Sequence, residues 1–270
     1  ESPIKHFALT KVWRQKDFEF INALAHIRIA ENHRDSVALI NRSCWVEKKP
    51  LPEGDIMRLV PKNDQADIIN SDRLSRLPGK SMKFKAVTEG EVDLAKAEKK
   101  YPAPALLELK VGAFVMLTCN SSEWVNGTTG IVTKMSEDCI GVKVKGGQEV
   151  DVQKVTWEIQ VPAFDRKTES LTYEATSKFT QFPIKLGYAL SIHKAQGATL
   201  EQVVIDFGQG AFATGQAYVA LSRVKSIQGL FLVRPLSMRD IQVDKIALDY
   251  WNTHFPSEVG SAGVSMAQVA

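Results

Sequence analysis

The sequence predicts an α/β protein in which a doubly wound parallel sheet is interrupted once by a small antiparallel barrel. Three observations carry that expectation. Short apolar runs alternate with helix-spaced segments towards both ends of the chain, as a parallel sheet with crossover helices requires. The middle, residues 106–162, instead has closely spaced short strands broken by Asn-Gly and Gly-Gly turns, which is how small antiparallel barrels read. Polar residues also collect where an apolar run stops, with Ser191, His193 and Lys194 following Tyr188 to Leu190. That edge is where α/β folds place ligand chemistry.

Taken in order, Asp17 is placed to cap a helix in which Phe20, Ile21, Leu24, Ala25 and Ile27 recur at three and four. Residues 37–40 read as a strand, 56–60 as a second strand, and 66–77 as a helix. Residues 81–104 are charged and poor in large apolar side chains, and read as an exposed linker with one surface helix. The insertion should hold strands at 113–117, 130–133, 140–145, 149–152 and 155–159, and after it residues 173–183 read as a return strand or hairpin into the strand at 188–192. The alternation resumes with strands at 188–192 and 203–207, a helix at 216–223, a strand at 229–233 and a terminal helix at 239–252. The domains are then 1–105 and 163–255 for the two halves of the sheet, 106–162 for the barrel, and a small, polar tail at 256–270.

Composition narrows the class. With 270 residues, 44% hydrophobic and 24% charged, the chain is ordinary globular material with room for one or two domains. A net charge of +3 is too small to attract a polyanion by itself, so any nucleic-acid site must be a local groove. No apolar run approaches the ~20 residues that span a bilayer, and no signal peptide pattern is present, so no membrane partner is expected. Cys44, Cys119 and Cys139 lack metal-ligand spacing and the histidines do not cluster. Reduced structural thiols in an intracellular protein without a metal site are the expectation.

The candidate site residues lie in a few short segments. Arg223 ends a helical run of Tyr218, Val219, Ala220 and Leu221; alone, it reads as a capping or surface residue. Projected from a helix end into a cleft, such an arginine stabilises charge on a phosphoryl group in flight. Arg14, in Val-Trp-Arg-Gln, reads alone as a guanidinium beside Trp13. Ser191, His193 and Lys194 suit phosphate oxygens, which take most protein contacts to nucleic acid without reading sequence; Lys62 and Asn63, on a turn after the strand at 56–60, are a second such pair. Trp124, Asn126 and Gly127 build a turn, with Trp124 either core or stacking surface.

GYALSIHKAQGATL (187–200) and GQAYVALSRVKSIQGL (215–230) resemble motifs V and VI of superfamily-one helicases of the RecD branch, and within it the PIF family. LTKVWRQKDFEFINALAHIR (9–28) resembles that family's motif IV, LVPKNDQADIINSDRLSRLPG (59–79) the segment after it, and LKVGAFVMLTCN with WVNGTTGIV its inserted SH3-like barrel. The resemblance runs in the family's order to about Trp251, and GAFATGQAYVALSR is similar to its bacterial members. It implies a RecA-like sheet of the P-loop NTPase type, helices on both faces, carrying an SH3-like barrel. It also implies part of an ATP-dependent DNA helicase that serves repair and recombination and moves 5′ to 3′ on single-stranded DNA. ATP and Mg²⁺ would be bound mainly by a first motor domain, and the partners would be that domain, single-stranded DNA and fork or duplex-junction DNA. By resemblance Arg14 and Arg223 would meet the γ-phosphate, Gln15, Gln196 and Gly197 would line the nucleotide site, and Ser191, His193, Lys194, Lys62 and Asn63 would hold the DNA backbone.

The motor itself needs a GxxxxGK[ST] loop and an acidic pair for Mg²⁺, and neither occurs in this sequence. Gly79-Lys80-Ser81 has Leu74 where the upstream glycine must stand. The chain starts at Glu1 without a methionine, so it reads as the C-terminal half of a longer protein, inactive alone. A RecD or conjugative relaxase helicase shares motifs V and VI. A nucleic-acid-binding module without a motor is the alternative should the gene start near Glu1.

Overall fold

Local rules set the first helix. The Asp17 carboxylate accepts the backbone N–H groups of Glu19 (3.0 Å) and Phe20 (3.2 Å) and opens α1 (Phe18–Ile29), which buries Phe20, Ile21, Leu24, Ala25 and Ile27 as their spacing requires. The computed structural model describes residues 5, 11–90, 92, 94, 101–165 and 170–255. The strand expected at 37–40 is overturned: these residues lie inside α2 (His33–Cys44). Val37, Ile40 and Cys44 are its buried residues together with Ser36, a three-and-four stripe that outweighs the β preference of two branched side chains. After β1 (Arg58–Val60), α3 (Asn63–Arg76) starts earlier than expected, at Asn63, and the Lys62 carbonyl accepts the Ala66 N–H (3.4 Å).

Two compact units divide the chain: one combines the residues up to Ile69 with those from Tyr188, the other is Asn70–Gly187. The second unit contains β2 (Met82–Lys85), β3 (Val87–Gly90), β4 (Leu106–Leu109), β5 (Phe114–Leu117), β6 (Thr129–Met135), β7 (Cys139–Val144), β8 (Glu149–Gln153), β9 (Val155–Asp165), β10 (Ser170–Gln181) and β11 (Ile184–Leu186). Strands β11-β5-β6-β7-β8 form one antiparallel sheet, β2 pairs with β4, and β3-β10-β9 form a third. The expected linker at 81–104 is therefore corrected. Its Met-Lys-Phe-Lys run alternates with period two, pairing Met82 with Leu109 and Phe84 with Leu107, and buries Phe84 in a core with Leu117, Ile140, Val142, Val152 and Phe182. The surface helix expected there falls mostly outside the described residues, as does the tail at 256–270. Trp124 packs on the same core. A Cβ at Gly130 would stand 2.7 Å from the Lys143 carbonyl oxygen, so only glycine lets β6 and β7 approach there.

The first unit is completed by β12 (Ala189–Ser191), β13 (Val203–Ile205), α4 (Gln216–Leu221), β14 (Leu230–Leu232) and α5 (Lys245–His254). Its sheet has the order β12-β1-β13-β14 with every pairing parallel, the RecA-like arrangement expected. Leu59, Val203, Ile205, Leu230 and Leu232 are at most 1% exposed and fill its core. The terminal helix begins later than expected. Ser237 and Asp240 close a capping box on a short 3-10 turn, and Asp244 then caps α5 by accepting the N–H of Ile246 (2.9 Å). Cys44 is fully buried, and burial pushes its thiol up to about 12 although the nearby Lys49 charge pulls the other way.

Candidate functional site

The register of the parallel sheet assembles the first cluster. Val60 of β1 lies opposite Ser191 of β12, so the two strands end side by side. Lys62 and Asn63 leave one, His193 and Lys194 the other. The Ile192 N–H donates to the Val60 carbonyl (2.9 Å), and the Ser191 hydroxyl donates to Asn63 Oδ1 (2.5 Å). Residues 192–197 then turn tightly, with the Ala195 N–H on the Ser191 carbonyl (3.1 Å) and the Gln196 N–H on that of His193 (3.2 Å). Lys62, Asn63, His193, Gln196 and Gly197 are exposed and Lys194 is half-buried. Gly197 has φ +82°, a conformation costly for residues with a side chain, while the space around it is open.

The second cluster is built around the end of α4. Arg223 is half-buried; its Nε donates to the Val219 carbonyl (2.8 Å) and a terminal nitrogen to the Ser222 hydroxyl (2.7 Å). Arg14 reaches the same residue from the segment before α1, donating to the Ser222 carbonyl (3.0 Å), and its Nε donates to Thr199 Oγ1 (3.1 Å). Among the described residues neither guanidinium has a carboxylate partner. Burial, and after it the charge of Arg14, pull Arg223 below its ordinary value. Two like charges concentrated in this way favour an anion as third partner. The clusters are linked, because Leu200, just beyond the turn, bridges to Val224: its N–H donates to the Arg223 carbonyl (2.9 Å) and its carbonyl accepts the Lys225 N–H (3.2 Å).

Two expected contacts face inward instead. Ser191 is 2% exposed with its hydroxyl given to Asn63, so in this structure it braces the strand ends. Gln15 is 4% exposed, and its amide nitrogen donates to the carbonyls of Ser222 (3.0 Å) and Val224 (2.8 Å), on either side of Arg223. Thr199 and Ser222 were not singled out from sequence; both lie within the matched segments, but only folding brings their hydroxyls to Arg14 and Arg223. A cavity of about 310 Å³ lined by Arg28, Thr214, Asp244, Leu248 and Trp251 among others contains none of these residues. Among the described residues no group of three or more His, Cys, Asp and Glu could hold a metal ion, and no helix is long and apolar enough to cross a membrane.

No family model matches the chain. Human ATP-dependent DNA helicase PIF1 is 36% identical over 226 residues, covering 82% of this chain and 34% of that protein. ATP-dependent DNA helicase Pif1 of Bdellovibrio bacteriovorus is 35% identical over 197 residues, 72% of this chain and 42% of that protein. Among solved structures, Bacteroides Pif1 in complex with ADP-AlF4 has a TM-score of 0.78 at 26% identity, over 90% of this chain and 55% of that one. Bacteroides Pif1 bound to single-stranded DNA has a TM-score of 0.61 at 27% identity, over 92% and 56%. By its motifs, its parallel sheet and these relatives, the chain belongs to the PIF1 family of ATP-dependent DNA helicases, spanning about a third of the human protein's length.

Proposed function

We propose that this chain supplies one wall of the ATP site and one part of the single-strand grip of a PIF1-type DNA helicase that moves 5′ to 3′. The observation that carries the reading is the Arg14–Arg223 pair, hung on the two sides of Ser222 with no carboxylate among the described residues to neutralise it. Such a pair suits charge developing on the γ-phosphate, the task of an arginine finger, worth on the order of 10³ or more in rate. When bound, ATP with Mg²⁺ supplies the phosphoryl group and the metal's charge neutralisation. The residues present fit the phosphate side only, so the Mg²⁺ ligands and the phosphate-cradling loop belong to a first motor domain.

On this reading Gln15 and Thr199 aim the arginines, and the turn holding Gln196 and Gly197 lies between them and the strand ends. Lys62, Asn63, His193 and Lys194 take the DNA backbone there, with fork or junction DNA entering through the whole enzyme. The relatives' names and the nucleotide-bound and single-strand-bound Bacteroides structures support the assignment.

In the full-length protein, Arg223→Ala or Arg14→Ala should lower DNA-stimulated kcat by ~10² or more while nucleotide affinity changes far less. Steady-state hydrolysis beside nucleotide binding checks this. Unchanged kcat in both variants would return the arginines to a structural role.

A further inference from the structure

The loop between β13 and α4 is held more firmly than its position on the surface requires. Asp206 accepts the Gly208 N–H (3.0 Å), and Arg234 Nε donates to the Gly208 carbonyl (2.7 Å). Asp240, 1% exposed, accepts the Ala211 N–H (3.0 Å), and Gln242 Nε2 donates to the Ala211 carbonyl (2.8 Å). Gln216, 8% exposed, accepts the Phe212 N–H (3.0 Å). Arg234 in turn donates twice to Asp240, at 2.9 and 2.8 Å. Two buried groups, Asp240 and Gln216, therefore fix the N–H groups of Ala211 and Phe212, yet the ring they aim is 60% exposed. Leaving a phenylalanine in water forfeits the burial that would stabilise the fold, and a rigid support under an exposed side chain is what a binding site requires.

The place of the ring says what it meets. Gln216 Nε2 also donates to the Pro61 carbonyl (3.5 Å), so one amide ties Phe212 to the residue before Lys62. The Phe212 nitrogen thus lies within ~9 Å of that carbonyl oxygen, from the two bond lengths and the width of an amide. Strands β12, β1 and β13 are neighbours in the sheet, and their adjoining ends deliver His193 and Lys194, Lys62 and Asn63, and Phe212. The loop's other exposed residues include Gln209, Ala213 and Thr214, not the broad apolar patch that a protein partner would cover. A flat π face joined to an anionic backbone matches this edge.

We propose that Phe212 is a stacking platform for one nucleobase of the strand whose phosphates Lys62 and Lys194 hold. The proposal rests on the DNA reading given above. Because every base has a π face, the contact tolerates sequence, and it adds affinity without adding charge.

The test is equilibrium binding of single-stranded oligonucleotides by the full-length protein across a salt series. Phe212→Ala should weaken binding ~5-fold or more at each salt concentration, with the salt slope unchanged and Phe212→Trp retaining affinity. Lys194→Ala should instead reduce the slope by ~0.7 per lost phosphate contact. On an oligonucleotide with a run of abasic sites, wild type and Phe212→Ala should bind alike. Equal losses for Phe212→Ala on intact and abasic strands would overturn the stacking role. So would wild-type affinity for Phe212→Ala while Lys194→Ala lowers the slope, an outcome that leaves the phosphate grip standing. Wild-type binding by both variants would overturn the grip as well. Melting temperatures check the fold of each variant, and an exposed ring makes a folding defect in Phe212→Ala unexpected.

Discussion

The antiparallel unit and the parallel-sheet unit put their buried polar groups to different uses. In the antiparallel unit Gln181 is fully buried, and its amide closes the structure on itself: Nε2 donates to the carbonyls of Phe84 (2.9 Å) and Pro104 (3.2 Å), and Oε1 accepts the Phe182 N–H (2.9 Å). Its ion pairs, such as Lys178 with Glu89, lie on the surface. In the parallel-sheet unit Gln15, Ser191, Gln216, Ser222 and Asp240 are all buried, and each fixes a segment that presents an arginine, a lysine or an exposed ring. Buried hydrogen bonds join strands in one region and aim side chains in the other. Buried polar groups are satisfied as a rule, with Tyr101 Oη, Thr118 Oγ1 and Trp124 Nε1 of the antiparallel unit as exceptions among the described residues, but only in the second unit does a satisfied group leave an unneutralised charge or an exposed aromatic behind.

The comparison can be broken in order of expected effect. If apolar filling sustains the antiparallel unit, Ile140→Ala or Leu117→Ala should cost ~2–5 kcal/mol in denaturant unfolding, since both are 0% exposed. A loss under ~1 kcal/mol would mean that the strand pairing carries that unit instead.

Asp240 tests the other region. Burial alone raises its carboxyl, but the hydrogen bonds from Arg234 and from the Ser237 and Ala211 N–H groups outweigh this and hold it at about 2, below the ordinary 3.8. A group depressed on folding contributes stability above its unfolded value and loses it as pH falls through the folded one. The contribution, about 2 kcal/mol, should be complete above pH ~4 and vanish towards pH ~2. Asp240→Asn should remove it at neutral pH and flatten that part of the acid-unfolding curve. An unaltered curve would deny the loop its anchor.

The smallest effect belongs to the surface. Lys178→Met, which removes pairs at 3.3 and 3.9 Å with Glu89 and Glu158, should change stability by less than ~1 kcal/mol. A larger loss in the same unfolding experiment would mean that surface charge joins these strands as much as the Gln181 amide does.

Much of this was legible in the sequence because the two kinds of sheet have different periods. The strands ending in Val60 and Ser191, the capped helix after Asp17 and the closely spaced strands of the insertion stand where pattern places them. The helix over Val37 and Ile40 was misread because two branched residues three apart fit a strand and a helix stripe equally until Cys44 extends the stripe. The Met82–Lys85 strand was missed because its alternation is short and its partner, Leu106–Leu109, lies on the far side of a charged stretch. Residue type at the strand ends pointed to Lys62, His193 and Lys194, and the family resemblance to Arg14 and Arg223, but the inward direction of Ser191 and Gln15 is fixed by which carbonyl or amide folding brings opposite them. Phe212 gave no signal, because exposure of an aromatic cannot be read from its neighbours in sequence.

The burial of Cys44 has a practical corollary. A thiol raised to about 12 and fully enclosed is almost never the reactive thiolate at neutral pH. Cys119 and Cys139 are also raised by burial, yet both reach solvent in part, and both belong to the antiparallel unit. A maleimide dye added to this chain therefore addresses that unit alone, so fluorescence can follow one unit while the parallel sheet and its arginines stay unmodified.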